Sequence, residues 1–247
     1  MTATVLTHEN NGVLTLTINR PERRNALDVA TYLALAEHVR AASSNKDCRA
    51  IVITGASNYF TAGNDLKDFQ KPRTSGESGG IILLRSLIDC DLPIIAAVEG
   101  RAIGIGVTML QHCDFICAAD NALFTIPFVA LGLCPEGASS VLLAQIVGAR
   151  RASDWLLRGK TFDAQEAFDA GFITQITHAG QALAIAQALG DELAALPPQA
   201  LQLSKRMMKH SQRPMLHETL KYEFELFSER LQSEEAQAAV AKLLKKS

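Results

Sequence analysis

The residues in this chain best suited to chemistry are one glutamate and two glycine-containing turns. The glutamate is Glu136, in the segment Leu-Gly-Leu-Cys-Pro-Glu-Gly, and the turns lie at 62–66 (Ala-Gly-Asn-Asp-Leu) and 104–106 (Gly-Ile-Gly). A single carboxylate opposite backbone N–H donors suits moving a proton beside a carbonyl group. Adding water across a double bond usually requires two groups to manage the water. The pattern therefore favours proton transfer over hydration.

Both turns follow strand-like segments and carry glycine where a backbone must bend sharply or approach another group closely. The second turn also opens a helix, whose free N–H groups suit a polarised oxygen. If the amides of Asn64 and Ile105 converge, they form an oxyanion hole with two donors. Spacing alone favours a purely structural role for these glycines. Taken alone, Glu136 is likewise better explained as an acid at a helix N-terminus, where it interacts with the helix dipole.

Alternating strands and helices must position these segments. Strands are predicted at 13–18, 50–54, 94–98, 114–118, 123–125 and 172–176, and helices at 26–42, 81–90, from about 104, at 137–147 and after a capping box at 163–166. Residues 70–80 are polar and rich in turn formers, which predicts a mobile loop. The alternation predicts an α/β core. After Pro197-Pro198 the pattern becomes helical with charged faces, which indicates an appended region suited to assembly.

Composition excludes several classes of protein. The 247 residues are 48% hydrophobic, enough for one large domain or two small ones, and the net charge of −2 comes without a concentrated basic face for nucleic acid. Five scattered cysteines indicate reduced, mostly buried thiols. We see neither a signal peptide nor an apolar run of membrane-spanning length, so we expect a cytoplasmic protein.

Residue spacing argues against three other kinds of functional site. His112 and Cys113 with Cys117 lack the pattern of a metal site, so no metal is predicted. The glycines between 100 and 106 do not follow the order of a dinucleotide-binding fingerprint. The Ser139-Ser140 pair lacks the nucleophile-elbow sequence of a hydrolase.

Three groups of motifs instead resemble the crotonase (enoyl-CoA hydratase/isomerase) superfamily: 60–67 (Phe-Thr-Ala-Gly-Asn-Asp-Leu-Lys), 97–100 (Ala-Val-Glu-Gly) with the turn at 104–106, and Cys113-Asp114 with Leu131-Gly132. The resemblance runs from Asn19-Arg20-Pro21 to the helical tail. It implies the crotonase (ClpP-like) fold, a superhelix of repeated ββα units. In that arrangement, residues 1–196 form the core with the acyl-CoA site, and residues 197–247 form a helical region that builds trimers.

The same resemblance assigns roles to the chemical groups. The amides of Asn64 and Ile105 would hold the thioester oxygen of an acyl-CoA. Family hydratases carry their two glutamates at positions that are Thr108 and Phe128 here, so hydration through that pair is disfavoured. Glu136 matches the glutamate of the Pro-Glu-Gly segment in peroxisomal-type Δ3,Δ2-enoyl-CoA isomerases, which implies that it is the base.

The resemblance also implies contacts with CoA. Arg24, in the segment that also contains Ala26, would contact a phosphate of CoA. The first turn would line the adenine and pantetheine through Ala62, Asp65, Leu66 and Lys67. Phe128 and Leu131 would supply an apolar setting around the base. Lys242, Lys245 and Lys246 of a neighbouring subunit could reach CoA phosphates, although solvated lysines are the default.

The leading hypothesis is therefore a Δ3,Δ2-enoyl-CoA isomerase that acts as a homotrimer or dimer of trimers. It needs no cofactor, because CoA is part of the substrate, and it binds neither nucleic acid nor membrane. Two alternatives stay open: another crotonase reaction such as 2-enoyl-CoA hydration, and a non-catalytic acyl-CoA-binding protein. Acyl chain length and double-bond geometry are not determined by the sequence.

Overall fold

Two β-sheets organise the part of the chain that the computed structural model describes, residues 3–68 and 77–244. Its strands are β1 (Val5–Asn10), β2 (Val13–Ile18), β3 (Ala50–Gly55), β4 (Ile94–Val98), β5 (Arg101–Ile103), β6 (Phe115–Ala119), β7 (Leu123–Thr125), β8 (Phe162–Asp163) and β9 (Gln175–Thr177). The larger sheet has the order β1-β2-β3-β4-β6-β9, antiparallel between β1 and β2 and parallel elsewhere. The smaller sheet has the order β5-β7-β8.

Helices cover both faces of the larger sheet. They are α1 (Val29–Ser44), α2 (Gly79–Asp89), α3 (Ile105–Thr108), α4 (Ser139–Val147), α5 (Ala149–Arg158), α6 (Ala164–Asp169), α7 (Ala182–Ala194), α8 (Pro198–Lys209), α9 (Gln212–Leu231) and α10 (Glu234–Leu244). α7 packs on one face, against apolar side chains of β2, β3, β4 and β6. The main core lies on the other face. Because both faces are covered, β3 and β4 are nearly continuous apolar runs, as expected of buried parallel strands.

The chain passes from the larger sheet to the smaller one twice, each time between two consecutive strands. After β4 the chain turns at Gly100, whose φ is +63°, and continues as β5; a methyl group at Gly100 would overlap the Asn58 carbonyl oxygen. β6 is followed in the same way by β7. β5 then leads into α3, so that a strand of each sheet and a helix form one unit. This arrangement delivers the ends of β5 and β7 to the same region as the segment after β3, where Thr61 pairs with Ala102.

The C-terminal helices join the main core. Leu216, Leu220 and Phe227 of α9 and Ala236 of α10 belong to the same apolar cluster as β2 and β3. The role of residues 197–247 in oligomer assembly, and the division of the chain at 196/197, stay predictions. Within the described ranges, no helix is long and apolar enough to cross a membrane.

The predicted α/β class is confirmed, and so are the strands at 13–18, 94–98 and 123–125. The helix predicted from residue 26 begins at Val29, because the Asp28 side chain accepts the Thr31 amide (2.9 Å) and ends the preceding segment. Asp163 caps α6 in the predicted manner by accepting the Glu166 amide (2.8 Å).

The strand predicted at 172–176 is displaced. The observed strand, β9, is Gln175–Thr177, since only these residues pair with β6. Phe172 and Ile173 are instead buried in the core, where the Phe172 ring meets Trp155 edge-on. Their apolar character reflects packing rather than strand pairing. Residues 70–76 of the predicted 70–80 loop lie outside the described residues, and its last two residues, Gly79 and Gly80, instead begin α2 because the Ser78 side chain caps that helix.

Candidate active site

The first glycine turn holds its amides in a fixed pattern. The Ala62 N–H donates to the Arg24 carbonyl (2.9 Å), the Gly63 N–H donates to Thr61 Oγ1 (3.0 Å) and the Asp65 N–H donates to the Leu27 carbonyl (2.9 Å). Gly63 has φ +83°, in the left-handed region. Among the residues described, none accepts a hydrogen bond from the Asn64 N–H. The turn therefore ties down the neighbours of Asn64 and leaves its amide available.

The second turn does the same for Ile105. The Gly104 N–H donates to the Thr125 carbonyl (2.8 Å) with φ +58°, and α3 begins at the next residue. The first N–H groups of a helix have no partner within it. For Ile105 the described part of the chain supplies none outside the helix either. Its N–H is thus a second available donor.

The two turns are in direct contact, which brings their donors into one region. A methyl group added at Gly63 would lie 2.5 Å from the Ile103 carbonyl oxygen, and one added at Gly106 would lie 2.5 Å from Thr61 Cγ2. Only glycine permits this approach. The glycines of the two turns therefore mark a close contact between two backbone segments. Asn64 and Ile105, which follow Gly63 and Gly104, lie at the edge of this contact.

Glu136 reaches the same region from a third segment. Its Oε1 accepts a hydrogen bond from Thr108 Oγ1 (2.5 Å), and Thr108 lies on α3 three residues after Ile105. The next residue, Gly137, is so close to α3 that a methyl group there would lie 2.9 Å from Thr108 Cβ. The structure thus brings together the three sequence segments that could do chemistry.

The environment of Glu136 favours its protonated form. Burial raises the pKa of the Glu136 carboxyl to about 8, while the Thr108 hydrogen bond lowers it and the negative charge of Glu223 raises it. The residue as a whole is only partly buried. Glu136 is therefore a carboxyl with a raised pKa that lies beside the second glycine turn.

Three side chains that the spacing did not single out support these turns. The Tyr32 hydroxyl donates to Asn64 Oδ1 (2.7 Å), and burial, then the charge of Glu136, raises the pKa of Tyr32 well above its ordinary value, so it stays a donor. Asn25, fully buried, donates to the Ala56 (2.8 Å) and Tyr59 (2.6 Å) carbonyls. His112 Nε2 lies 2.9 Å from the Gly137 carbonyl oxygen.

None of these three carries a distinctive signal in the sequence. Tyr32 follows the apolar spacing of α1 and is indistinguishable there from an ordinary core residue. Asn25 has a positive φ of +55°, which suggests only a turn. Burial lowers the pKa of His112 to about 4, which keeps its ring neutral. The His112 ring is buried, as a packing residue is.

The residues expected to contact CoA lie along one rim of the first turn. Ala62, Asp65 and Leu66 are partly accessible and Lys67 is exposed. Asp65 is engaged within the protein, since its Oδ2 pairs with Arg20 Nη2 (3.0 Å). That pairing makes Asp65 a support for the turn.

Arg24 is exposed beside the same turn. Its φ of +51° places it at the end of a short 3-10 segment, next to the buried Ala26. Arg24 and Arg101 both lie close enough to Tyr59 that their charges lower the pKa of this tyrosine, while burial raises it more strongly. These two guanidinium groups form a positive region suited to a phosphate.

Phe128 and Leu131 border the second turn and the segment before Glu136. A methyl group at Gly104 would lie 3.7 Å from Phe128 Cε1, and the Phe128 ring meets Phe227 of α9 edge-on. Leu131 packs on the main core. In the described ranges, no group of three or more His, Cys, Asp or Glu could hold a metal ion. Lys245 and Lys246 lie outside the described residues, and Lys242 lies on α10.

Residues 8–247 match the family model described as Enoyl-CoA hydratase/isomerase. The chain is 32% identical to Enoyl-CoA delta isomerase 2 of Homo sapiens, over 98% of this chain and 63% of that protein's length. It is also 32% identical to 2,3-dehydroadipyl-CoA hydratase of Escherichia coli K12, over 95% of this chain and 92% of that one. The crystal structure of an enoyl-CoA hydratase/isomerase from Pseudoalteromonas atlantica T6c superposes with a TM-score of 0.95 at 39% identity, covering 98% of this chain and 97% of that one.

The chain therefore belongs to the enoyl-CoA hydratase/isomerase family, and the expected crotonase fold is confirmed. It is a crotonase-type acyl-CoA enzyme. Because the chain spans less than two thirds of the length of the human isomerase, what that whole protein does is not transferred to it. A relative named as an isomerase and one named as a hydratase match at the same identity, so these similarities do not distinguish isomerisation from hydration in this chain.

Proposed function

We propose that this enzyme is a Δ3,Δ2-enoyl-CoA isomerase, which moves the double bond of a 3-enoyl-CoA to the trans-2 position. The observation that carries the proposal is the setting of Glu136: one carboxyl with a raised pKa, bound to Thr108 beside the second glycine turn. Thr108 and Phe128 occupy the positions where family hydratases carry glutamates, and neither can act as a base.

The proposed reaction begins at C2 of the substrate. Its proton is acidic because the carbon lies between the thioester carbonyl and the double bond. Glu136 removes this proton, and the electron pair spreads into a dienolate whose negative charge rests largely on the thioester oxygen. The Asn64 and Ile105 amides stabilise that oxygen as its charge develops, and the loss of one such donor typically costs about 2.7–4 kcal/mol.

The reaction closes when Glu136 returns the proton at C4. The double bond then lies between C2 and C3, conjugated with the carbonyl, and no atom is gained or lost. A carboxyl with a pKa of about 8 is well matched to both steps, because it can exist as base and as acid near neutral pH.

Binding follows the same assignment. Arg24 contacts a CoA phosphate, the rim from Ala62 to Lys67 lines the adenine and pantetheine, and Ala26 lies beside that rim. Phe128 and Leu131 form the apolar wall around the base. No cofactor beyond the substrate's own CoA is required, and the enzyme works in the cytoplasm as a homotrimer or a dimer of trimers.

The test is to incubate trans-3-hexenoyl-CoA with the purified enzyme and with Glu136→Gln, and to follow product mass and conjugated-enoyl absorbance. We expect rapid conversion without a change in mass, and its loss in the variant. A gain of one water that survives the substitution would instead establish a hydratase, the reaction named for the Escherichia coli relative. CoA-ester binding without any conversion would indicate a binding protein.

A further inference from the structure

Glu223 is a buried carboxylate that belongs neither to the glycine turns nor to the catalytic segment. It lies on α9, is 4% exposed, and is more than eighty residues away from the groups it binds. Its Oε2 accepts the Ala138 N–H (2.6 Å) and its Oε1 accepts the Ser140 N–H (2.9 Å). Both carboxylate oxygens are therefore engaged by the backbone just after Glu136.

The backbone held in this way is strained. Gly137 has φ +76° and Ala138 has φ +60°, so an alanine occupies the left-handed region that side chains disfavour. Such a conformation persists only where its surroundings impose it. Here Glu223 binds the amide of Ala138 itself, and His112 binds the carbonyl of Gly137 from the other side.

The strained turn controls where Glu136 points. Gly137 follows Glu136 directly, and the Glu136 carbonyl accepts from the Ser139 hydroxyl (2.7 Å) within the same turn. If Ala138 relaxed to an ordinary helical φ, the peptide planes on both sides of it would rotate. The Glu136 carboxyl would then leave Thr108 and the edge of the second glycine turn.

Glu223 also acts on Glu136 through its charge. Its negative charge raises the pKa of the Glu136 carboxyl, in addition to the larger effect of burial. Five other polar or titratable groups face Glu136 or its segment: Thr108 on α3, Tyr32 on α1, His112 after α3, Cys134 in the same loop and Arg230 on α9.

We propose that Glu223 is a positioning residue for the reaction: by binding the Ala138 and Ser140 amides, it holds the strained turn that aims Glu136 at the substrate. The inference rests on the proposed role of Glu136 as the base. It gives α9, a helix of the C-terminal region, a part in the active site, since the turn keeps its shape only when α9 is docked.

Two substitutions separate the geometry from the charge. Glu223→Gln keeps the length of the side chain but removes the charge and one acceptor oxygen. Glu223→Asp keeps the charge but is one methylene too short to reach both amides. The matched control is Glu99→Gln, because Glu99 is a second buried carboxylate that binds two backbone amides, those of Gly180 (3.1 Å) and Ala182 (3.0 Å), at the start of α7.

The measurements are kcat and KM for trans-3-hexenoyl-CoA against pH, with thermal unfolding of each variant. We expect both Glu223 variants to lose kcat by about tenfold or more with little change in KM, as general acid–base groups lose efficiency when misplaced. The acidic midpoint of kcat/KM should lie at lower pH in Glu223→Gln than in Glu223→Asp, because only the glutamine variant lacks the charge that raises the pKa of Glu136.

An independent measurement does not require turnover. Infrared titration of protein labelled with 13C in its glutamate carboxyl groups follows Glu136 directly, with Glu136→Gln identifying its band. We expect the Glu136 titration to lie at lower pH in Glu223→Gln than in Glu223→Asp, and to stay at the wild-type pH in Glu99→Gln.

The proposal is overturned if both Glu223 variants keep the wild-type kcat, or lose activity only in proportion to a lower unfolding temperature as Glu99→Gln does. A Glu136 titration that stays at the wild-type pH in both Glu223 variants overturns it too. If the unsubstituted enzyme fails to isomerise the substrate, the proposed function fails instead, and the infrared titration still decides whether Glu223 acts on Glu136. Should Glu223→Gln not fold, Glu223→Asp alone tests the loss of kcat.

Discussion

Two glutamates of this protein, Glu136 and Glu99, differ in the hydrogen-bond donors that their carboxyl groups receive. The carboxylate of Glu99 accepts the amides of Gly180 and Ala182, so each of its oxygens has a backbone donor. In the part of the chain that the structure describes, the carboxyl of Glu136 has one hydrogen-bond partner, the Thr108 hydroxyl. Glu99 secures the start of α7, whereas Glu136 lies beside the second glycine turn.

The difference shows how a fold divides acids between structure and chemistry. Both carboxylate oxygens of Glu99 accept fixed backbone donors, which ties the start of α7 to the segment after β4. The carboxyl of Glu136 has a hydroxyl partner, and burial raises its pKa to about 8. The hydrogen-bond partners of each carboxyl therefore separate the structural acid from the candidate catalytic acid.

Activity should give the largest contrast between the two sites. We expect Glu136→Gln to lower kcat by about 10²–10⁴-fold, the range for removing a general acid–base group. Glu99→Gln should retain most of the activity because its carboxylate binds only α7. Steady-state kinetics with trans-3-hexenoyl-CoA measures both variants. Similar losses of kcat in the two would contradict the assignment of Glu136 to catalysis and of Glu99 to structure.

Stability should change in opposite directions. Glu99→Gln replaces an acceptor oxygen with an amide NH2, which leaves one buried N–H without a partner and costs about 1–3 kcal/mol. Glu136→Gln should instead stabilise the fold at alkaline pH by on the order of a few kcal/mol, reduced because the residue is only partly buried.

The sign for Glu136 follows from its raised pKa. The folded protein favours the protonated acid, so its contribution to stability is complete below the ordinary pKa of 4.5 and is lost as the pH rises through about 8. Glutamine cannot ionise and escapes this loss. Urea unfolding at pH 5 and pH 9 measures the effect, and equal stabilities of wild type and Glu136→Gln at pH 9 would contradict it.

The pH dependence of catalysis should show the smallest but most specific effect. We expect kcat/KM to rise with pH and to level off above about 8, as Glu136 becomes ionised. Thr108→Val removes the hydrogen bond that lowers the pKa of Glu136, so the midpoint should move to higher pH. The rate at neutral pH would then fall, by about tenfold if the midpoint rises by roughly one pH unit.

Thr108→Ser is the matched control for that substitution, because it keeps the hydroxyl and removes only the methyl group. Its midpoint should stay at the wild-type value. If Thr108→Val leaves the midpoint unchanged while Glu136→Gln abolishes activity, Thr108 only packs against the base and does not set its pKa.

The elements that position the site were largely predictable from local pattern. Strands β2, β4 and β7 match the predicted spans because alternation or a run of β-branched residues is a local property. β5 and β8 were not predicted, and the structure makes them strands by pairing them with β7. The strand predicted at 172–176 was displaced because buried aromatic packing and strand pairing both select apolar residues.

The sequence by itself determined the parts of the site: a Pro-Glu-Gly segment, two glycine turns and the absence of an acid at positions 108 and 128. These are matters of residue type and order, and order along the chain is enough to recognise them. Only the tertiary structure decided which donors each buried acid receives. Glu223 reaches Ala138, and Tyr32 reaches Asn64, across separations that no local pattern records. The pKa of Glu136 depends on those distant neighbours, because desolvation and charge act through space rather than along the chain.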